Sequence, residues 1–350
     1  MGKFIVTGSL DISQFWNEGK SDADTADIDI MPGKSSFTFV DDKGKKKDVT
    51  ALMYSAVIKS TSSEPVEVIK AQNKKVQHIT ARFQGIDAPE LHYKIYDVHT
   101  INKFKNNANF KKVNIEYRQK FSETAALALA SLLKKYADKD GNVTCTFVTE
   151  NISTPSDLCD VYGRFVGEIV LNDGTNLNHW LLENGHAMPS FYNSMLDKEI
   201  KKLVSAYNKA KKIAAKTALK NYSSAIFSYD FSLLFRNHGT PDAVADSGKF
   251  IYPKLFRRHT TFSILQKAGL MTDTFEEYLN AKSDDVCIIR KDLHEFNKLT
   301  EAQQKKFSGR KKFTEFIVNG KFIIDPKNFI VLEKAAALID SKTKTELASF

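Results

Sequence analysis

The sequence predicts an α+β protein, and three observations carry that expectation. Half-buried strand patterns recur at Lys3 to Trp16, His78 to Ile86, Val143 to Thr149 and the stretch ending at Val170. Helical stripes of apolar residues occupy separate segments, Tyr117 to Tyr136, Leu177 to Asn184 and Asn193 to Tyr222. A hydrophobic content of 42% with 27% charged residues supports a packed core and excludes global disorder.

Taken in order, the first strand ends at the turn Asn17-Glu18-Gly19-Lys20. An acidic turn, Asp22-Ala23-Asp24-Thr25, then leads into strict alternation through Ile30. Strands are expected at Ser36 to Asp41, Val49 to Ser60 and Val66 to Ala71, joined by polar turns at Lys43-Gly44-Lys45 and Ser62-Ser63-Glu64-Pro65. The segment Leu91 to Asn114 is polar and reads as a loop beside the site, with His92, Tyr93 and His99 as candidates for binding, though each alone could equally be a surface polar residue with no role. Leu127, Leu129, Leu132 and Leu133 give the first long helix one apolar face. Asn172-Asp173-Gly174 makes a hairpin-type turn, and Gly185 closes the helix that follows it. The helix from Asn193 buries Ile200, Leu203, Ala206, Tyr207 and Ile213 and exposes a lysine-rich face.

Beyond Ser223 the chain reads as a mixed α/β extension. Turns fall at Gly239-Thr240-Pro241-Asp242 and Asp246-Ser247-Gly248, with helices at Asp273 to Ala281 and Leu299 to Lys306. A hairpin turns at Asn319-Gly320, and a last helix is expected over Asn328 to Ile339. The run Lys249 to Gln266 interleaves Tyr252, Phe256 and Phe262 with Lys254, Arg257, Arg258 and His259. Such interleaving suits either core aromatics flanked by surface charge or a surface that stacks bases and tracks phosphates.

Lys and Arg number 51 against 42 Asp and Glu, a formal charge of +9 that favours an anionic partner. The three cysteines and eight histidines lack metal-ligand spacing, and a disulfide framework is not expected, although Cys145 and Cys159 could pair if the chain were exported. No apolar run suits a membrane span and no signal-peptide core is present, so a cytoplasmic chain is expected, with signal-less export left open.

The densest chemistry lies in Ala81-Arg82-Phe83-Gln84-Gly85-Ile86-Asp87-Ala88-Pro89-Glu90. Pro89 lacks an N–H and biases Ala88 away from helix, so the strand must stop there and display Asp87 and Glu90. Arg82 would bring a planar fork suited to phosphate, and the carboxylates could hold a hard cation or activate water. A plain Arg–Asp salt bridge at a strand end explains this stretch alone equally well. A second stretch, Asp160-Val161-Tyr162-Gly163-Arg164, adds another arginine on a tight turn before an alternating strand.

With these two motifs in this order, the chain resembles the staphylococcal nuclease (thermonuclease) family from about Asp22 to about Tyr222. The family's R-x-x-x-x-D-x-P-E pattern stands as Arg82, Asp87, Pro89 and Glu90, and its D-x-Y-G-R pattern as Asp160, Tyr162, Gly163 and Arg164. The resemblance implies a five-stranded OB-type β-barrel with three helices over residues 1–222, carrying inserted strands at about 31–75 and a long loop at 91–116. Residues 223–350 form the C-terminal α/β extension.

It further implies a nuclease that hydrolyses phosphodiester bonds of DNA and/or RNA with one calcium ion, other divalent ions being possible. Asp24, Asp87 and the Ala88 carbonyl would bind the metal; Glu90 would orient or deprotonate the attacking water; Arg82 and Arg164 would neutralise the phosphate. Tyr162, Tyr192 and Tyr93 would line the substrate. Ala88 departs from the threonine of the namesake enzyme, sparing a backbone ligand but not a side-chain hydrogen bond. The insertion leaves a second register, in which Ala56 to Val68 forms the first hairpin and Glu64 replaces Asp24; Asp-x-Asp-Thr followed by alternation is the closer match. A non-catalytic nucleic-acid- or protein-binding module on the same barrel is the alternative, since a fold alone does not give activity.

Overall fold

The computed structural model describes residues 2–16, 18–30, 35–59, 66–71, 77–213, 217–227, 229, 233–235, 247–281, 286–332 and 336–350. Five strands close a barrel: β1 (Gly2–Asp11), β2 (Thr25–Ile30), β3 (Gln77–Phe83), β4 (Asn142–Ile152) and β5 (Phe165–Leu171). β2 lies antiparallel to β3 from Thr25↔Arg82 to Ile30↔Gln77, and β3 lies parallel to β5. β5 pairs with β4, β4 returns to β1, and β1 meets β2 at Ser9↔Asp29. This is the α+β, OB-type architecture expected from the sequence. Alternation explains the wall: Ile79, Ala81 and Phe83 are buried in the core, while Thr80 and Arg82 take the opposite face of β3.

Helices α1 (Ser122–Leu133), α2 (Leu177–Glu183) and α3 (Asp197–Ala210) pack on the barrel through Leu129, Leu133, Leu181 and Leu203. The expected third helix is shorter than predicted, ending at Ala210 rather than near Tyr222. The Leu219 N–H donates instead to the Gly185 carbonyl (3.1 Å), a tertiary bond that overrides the helix propensity of this lysine- and alanine-rich stretch.

The segment between β2 and β3 adds strands, as expected, but not only strands. Phe37–Val40 pairs with the first half of β1, and Lys46–Asp48 pairs with Phe37–Val40. Thr50–Ser55, predicted as the start of a strand, is a short helix that seats Met53 in the core. The strand described there is Ala56–Lys59, and Ser60 and Glu64 with its turn lie outside the described residues.

The predicted loop at 91–116 also needs correction. It holds two helices, Val98–Phe104 and Ala108–Val113, whose first turns are capped by the side chains of Asp97 and Asn107. Their polar residues are a solvated helix surface, while Phe104 and Phe110 pack together with ring centroids 5.7 Å apart.

The C-terminal extension has an aromatic core, in which Tyr252, Phe313, Phe322 and Phe329 stack or meet edge to face. Helix α4 (Pro253–Lys267) starts with proline at its first position and buries Phe256 and Phe262. The basic–aromatic run is therefore a helix with a buried aromatic face rather than an exposed stacking surface. Where the final helix is predicted, over 328–339, the described residues hold two strands instead. Phe329–Val331 is a strand between Phe191–Tyr192 and Val286–Ile289, and Ala337–Asp340 pairs with Ala56–Lys59. β-branched residues with distant partners take the sheet option here. The three cysteines are free and buried, and among the described residues no helix is long and apolar enough to cross a membrane.

Gly85, in the turn between β3 and Ile86–Asp87, has φ +78°. A Cβ there would lie 2.3 Å from Leu203 Cδ1 and 2.8 Å from Met195 Cε. Gly85→Ala should therefore destabilise the chain by roughly 2 kcal/mol or more, from left-handed strain plus overpacking. Urea unfolding measures this, and an unchanged midpoint would mean that α3 does not press on the turn.

Candidate functional site

Three short segments converge where β3 ends: the acidic turn before β2, the Asp87–Glu90 turn, and the Asp160–Arg164 turn before β5. Backbone bonds fix their relative positions. The Phe83 N–H donates to the Asp24 carbonyl (2.8 Å), and the Gln84 N–H donates to the Gly167 carbonyl (2.7 Å). Buried Asn178 on α2 donates to the carbonyls of Gln84 (2.9 Å) and Gly167 (3.1 Å), bracing β3 against β5 at that end.

The Ala88 N–H donates to Asp24 Oδ2 (2.9 Å), which ties the first hairpin directly to the Asp87 turn. The Leu91 N–H donates to Asp22 Oδ1 (2.7 Å), so both acids of the first turn face the second motif. Asp160 anchors the arginines. It accepts from Arg164 Nε (2.8 Å), pairs with Arg164 Nη2 (2.7 Å), and lies 3.9 Å from Arg82 Nη1. Gly163 at φ +83° permits the tight turn that brings Arg164 back to Asp160. The Arg82 guanidinium also sits over the Tyr192 ring at 5.2 Å.

Arg82, Arg164, Asp24, Asp87, Ala88 and Glu90 are thus gathered in one place, with Tyr192 beneath Arg82. Tyr162 is 75% exposed, with the Arg164 guanidinium 5.5 Å from its ring. The Tyr93 hydroxyl bonds Thr261 Oγ1 (2.8 Å) on α4, and Tyr93 is half-buried. His92 bonds Tyr96, and His99 lies exposed on the 98–104 helix.

The residue that sequence reasoning passed over is Arg257 of α4. Its Nη1 and Nη2 donate to Asp87 Oδ1 and Oδ2, both at 3.1 Å, and Nη1 also pairs with Glu90. Gln119 adds a second link to the extension, accepting from the Glu90 N–H (3.2 Å) and donating to the Ile251 carbonyl (2.7 Å). Asp22 was visible as part of the acidic turn but had no role assigned. Arg257 stood in a basic run with nothing local to mark it.

Charge explains why a guanidinium is drawn in. Asp22, Asp24, Asp87, Glu90 and Asp160 face Arg82, Arg164 and Arg257, so five carboxyl groups meet three cations and the excess acids are pushed toward keeping their protons. Burial pushes Asp22 up to about 7, with Asp24 adding to it. Burial and then Asp87 raise Asp24. Glu90 rises to about 8 because burial and three neighbouring carboxylates outweigh its pairing with Arg257. Burial works against the charge of Arg82, but Tyr192 and the carboxylates of Asp87, Asp160 and Asp24 more than offset it and hold the guanidinium protonated.

The chemistry of this donor set, carboxylate oxygens crowded together and driven to keep their protons, suits a hard divalent cation that would replace those protons. Among the described residues, however, no three acidic, His or Cys side chains stand ready-made as a metal cage, and Arg257 already engages both oxygens of Asp87.

A closed five-stranded OB-type barrel with arginines and carboxylates gathered at one strand end defines a nuclease-like, nucleic-acid-binding class of domain. The family model described as "Staphylococcal nuclease homologue" matches residues 80–216, and the chain carries a staphylococcal nuclease-like domain. No curated protein matches the chain. The match opens within β3, so β1, β2 and Asp24 complete the barrel from outside it.

Proposed function

We propose that this domain is a calcium-dependent nuclease that hydrolyses phosphodiester bonds of DNA and/or RNA. The observation that carries this reading is the convergence of Arg82 and Arg164 on Asp160, beside the buried pair Asp87 and Glu90. Two guanidinium forks can each take phosphate oxygens and neutralise charge that builds up as water adds to phosphorus. Glu90 is assigned as the base that takes the proton of the attacking water; with its pKa raised to about 8, the ionised fraction able to accept that proton grows as pH rises. The P–O bond then breaks, and the leaving oxygen takes up a proton. Tyr162, exposed beside Arg164, offers a face for the nucleotide. Asp24, Asp87 and the Ala88 carbonyl would hold calcium, which supplies positive charge against the phosphate when bound.

Incubation of the purified chain with plasmid DNA and with RNA, with calcium and with chelator, tests this directly. Degradation that chelator stops is expected; absence of cleavage with every divalent ion would sink the nuclease reading. The second reading, a binding module that does not cut, is favoured by the Arg257 contacts that occupy Asp87 and Glu90. Retention of nucleic acid without cleavage would select it.

The raised carboxyls also set a pH dependence. The folded chain keeps these protons at pH values where the unfolded chain has lost them. Their contribution to stability is full below the ordinary carboxylate pKa and is lost as pH rises through about 7 for Asp22 and about 8 for Glu90. Calcium should reverse that loss, so its gain in Tm should be larger at high pH, where the carboxylates are ionised, than at acidic pH. Thermal melts with and without calcium at both extremes measure it. An equal gain at both would place the ion elsewhere.

A further inference from the structure

Among the described residues, Arg257 is the cation of the cluster that comes from outside the barrel and its loops. It lies on α4, in the extension, and reaches Asp87 across 170 positions of sequence. Its position is built rather than incidental. Thr261, one turn along α4, donates to the Arg257 carbonyl (2.9 Å) and bonds the Tyr93 hydroxyl, pinning that turn to the segment after Glu90. Tyr252, just before α4, donates to the Pro189 carbonyl (3.3 Å), and Pro189 pairs with Ile86 in the two-residue ladder that carries Asp87. Gln119 joins Glu90 to Ile251. The helix is thus fastened on both sides of Arg257 to the elements that hold the carboxylates.

The consequence is competition. A carboxylate has a limited set of lone pairs, and a forked guanidinium on both oxygens of Asp87 takes those that a metal would use. Asp87 is 1% exposed, so solvent screens its side of the contact little, while the Arg257 side chain is 28% exposed. Resting on the calcium-nuclease reading above, we propose that Arg257 is an internal counter-cation that sets the divalent-ion affinity of this site: the metal binds Asp87 only by displacing the guanidinium. The C-terminal extension thereby holds the site in a charge-paired resting form. Displacement leaves Arg257 beside the same cluster, with Glu90 released to act as base.

The test is calcium titration by calorimetry, with calcium alone and no nucleic acid, on the full-length wild-type chain and two variants. Arg257→Gln removes the charge and should tighten calcium binding by about tenfold or more, the value of a charge-assisted hydrogen bond to a buried carboxylate. Arg257→Lys keeps the charge and the stem but cannot fork both oxygens, and should fall between the two. Circular dichroism establishes that each chain is folded, and the Lys variant carries the comparison if the Gln variant is not. Calcium affinity that stays equal or weakens on loss of the fork overturns the proposal and leaves the nuclease reading standing. Failure of all three folded chains to bind calcium overturns both.

Discussion

Arg82→Lys is expected to lower nuclease turnover by roughly 10²–10³-fold, the usual loss when one preorganised donor to a developing anion is removed. The charge survives this change, so the argument is about geometry. Arg82 lies on the outer face of β3, held 3.9 Å from Asp160 and over the Tyr192 ring, which together aim its fork. A lysine ammonium reaches the same region as a point charge and can offer a phosphate one oxygen contact where the fork offers two. Because the missing bond matters most when charge has built up, kcat should fall with little change in KM. Stability should be largely retained, since β3 stays paired through Thr25↔Arg82 and Val166↔Arg82 by backbone bonds alone. Steady-state kinetics on a defined oligonucleotide, beside a thermal melt, separates these quantities. Near-normal turnover with lysine would reduce Arg82 to a structural partner of Asp160.

The barrel was legible because its determinants are local. Alternation along β2, β3 and β5 is written in consecutive residues, and each of the two motifs spans a single turn, so strand ends and site residues could be placed together. What escaped has a distant cause. Phe329–Val331 reads as helix in isolation and becomes a strand because Val286–Ile289 and Phe191–Tyr192 flank it. The 91–116 segment looked like loop because its lysines and asparagines dominate, yet Asp97 and Asn107 are helix caps that a stricter search for Asx residues before helical stretches would have found. Arg257 was marked only as part of a basic run, with nothing local to tie it to Asp87: the contact joins positions 170 apart, and acids gathered by three turns favour a further cation beside them.

The register question yields the second large effect. With β2 paired to β3 along its whole length and Asp24 accepting from the Ala88 N–H, the first turn stands at the Asp87 turn, and the added strands are an insertion in sequence between β2 and β3. If Asp24 is a calcium ligand, Asp24→Asn removes a charged donor but leaves an amide oxygen able to accept from Ala88. Calcium affinity should then drop by about 100-fold, because hard-ion sites depend on ligand charge, whereas Glu64→Gln should leave it within the ±0.5 kcal/mol or so typical of surface changes. A second consequence has the opposite sign. Burial and Asp87 both disfavour the ionised Asp24 carboxyl, so at alkaline pH in chelator the Asn variant should melt at or above the wild-type temperature. In calcium it should melt below. This crossing of the two melting curves on adding the ion is the result to look for. A variant that is weaker in chelator as well would make Asp24 a structural brace for the Ala88 turn, and lost calcium binding in the Glu64 variant would move the ligand to the inserted segment.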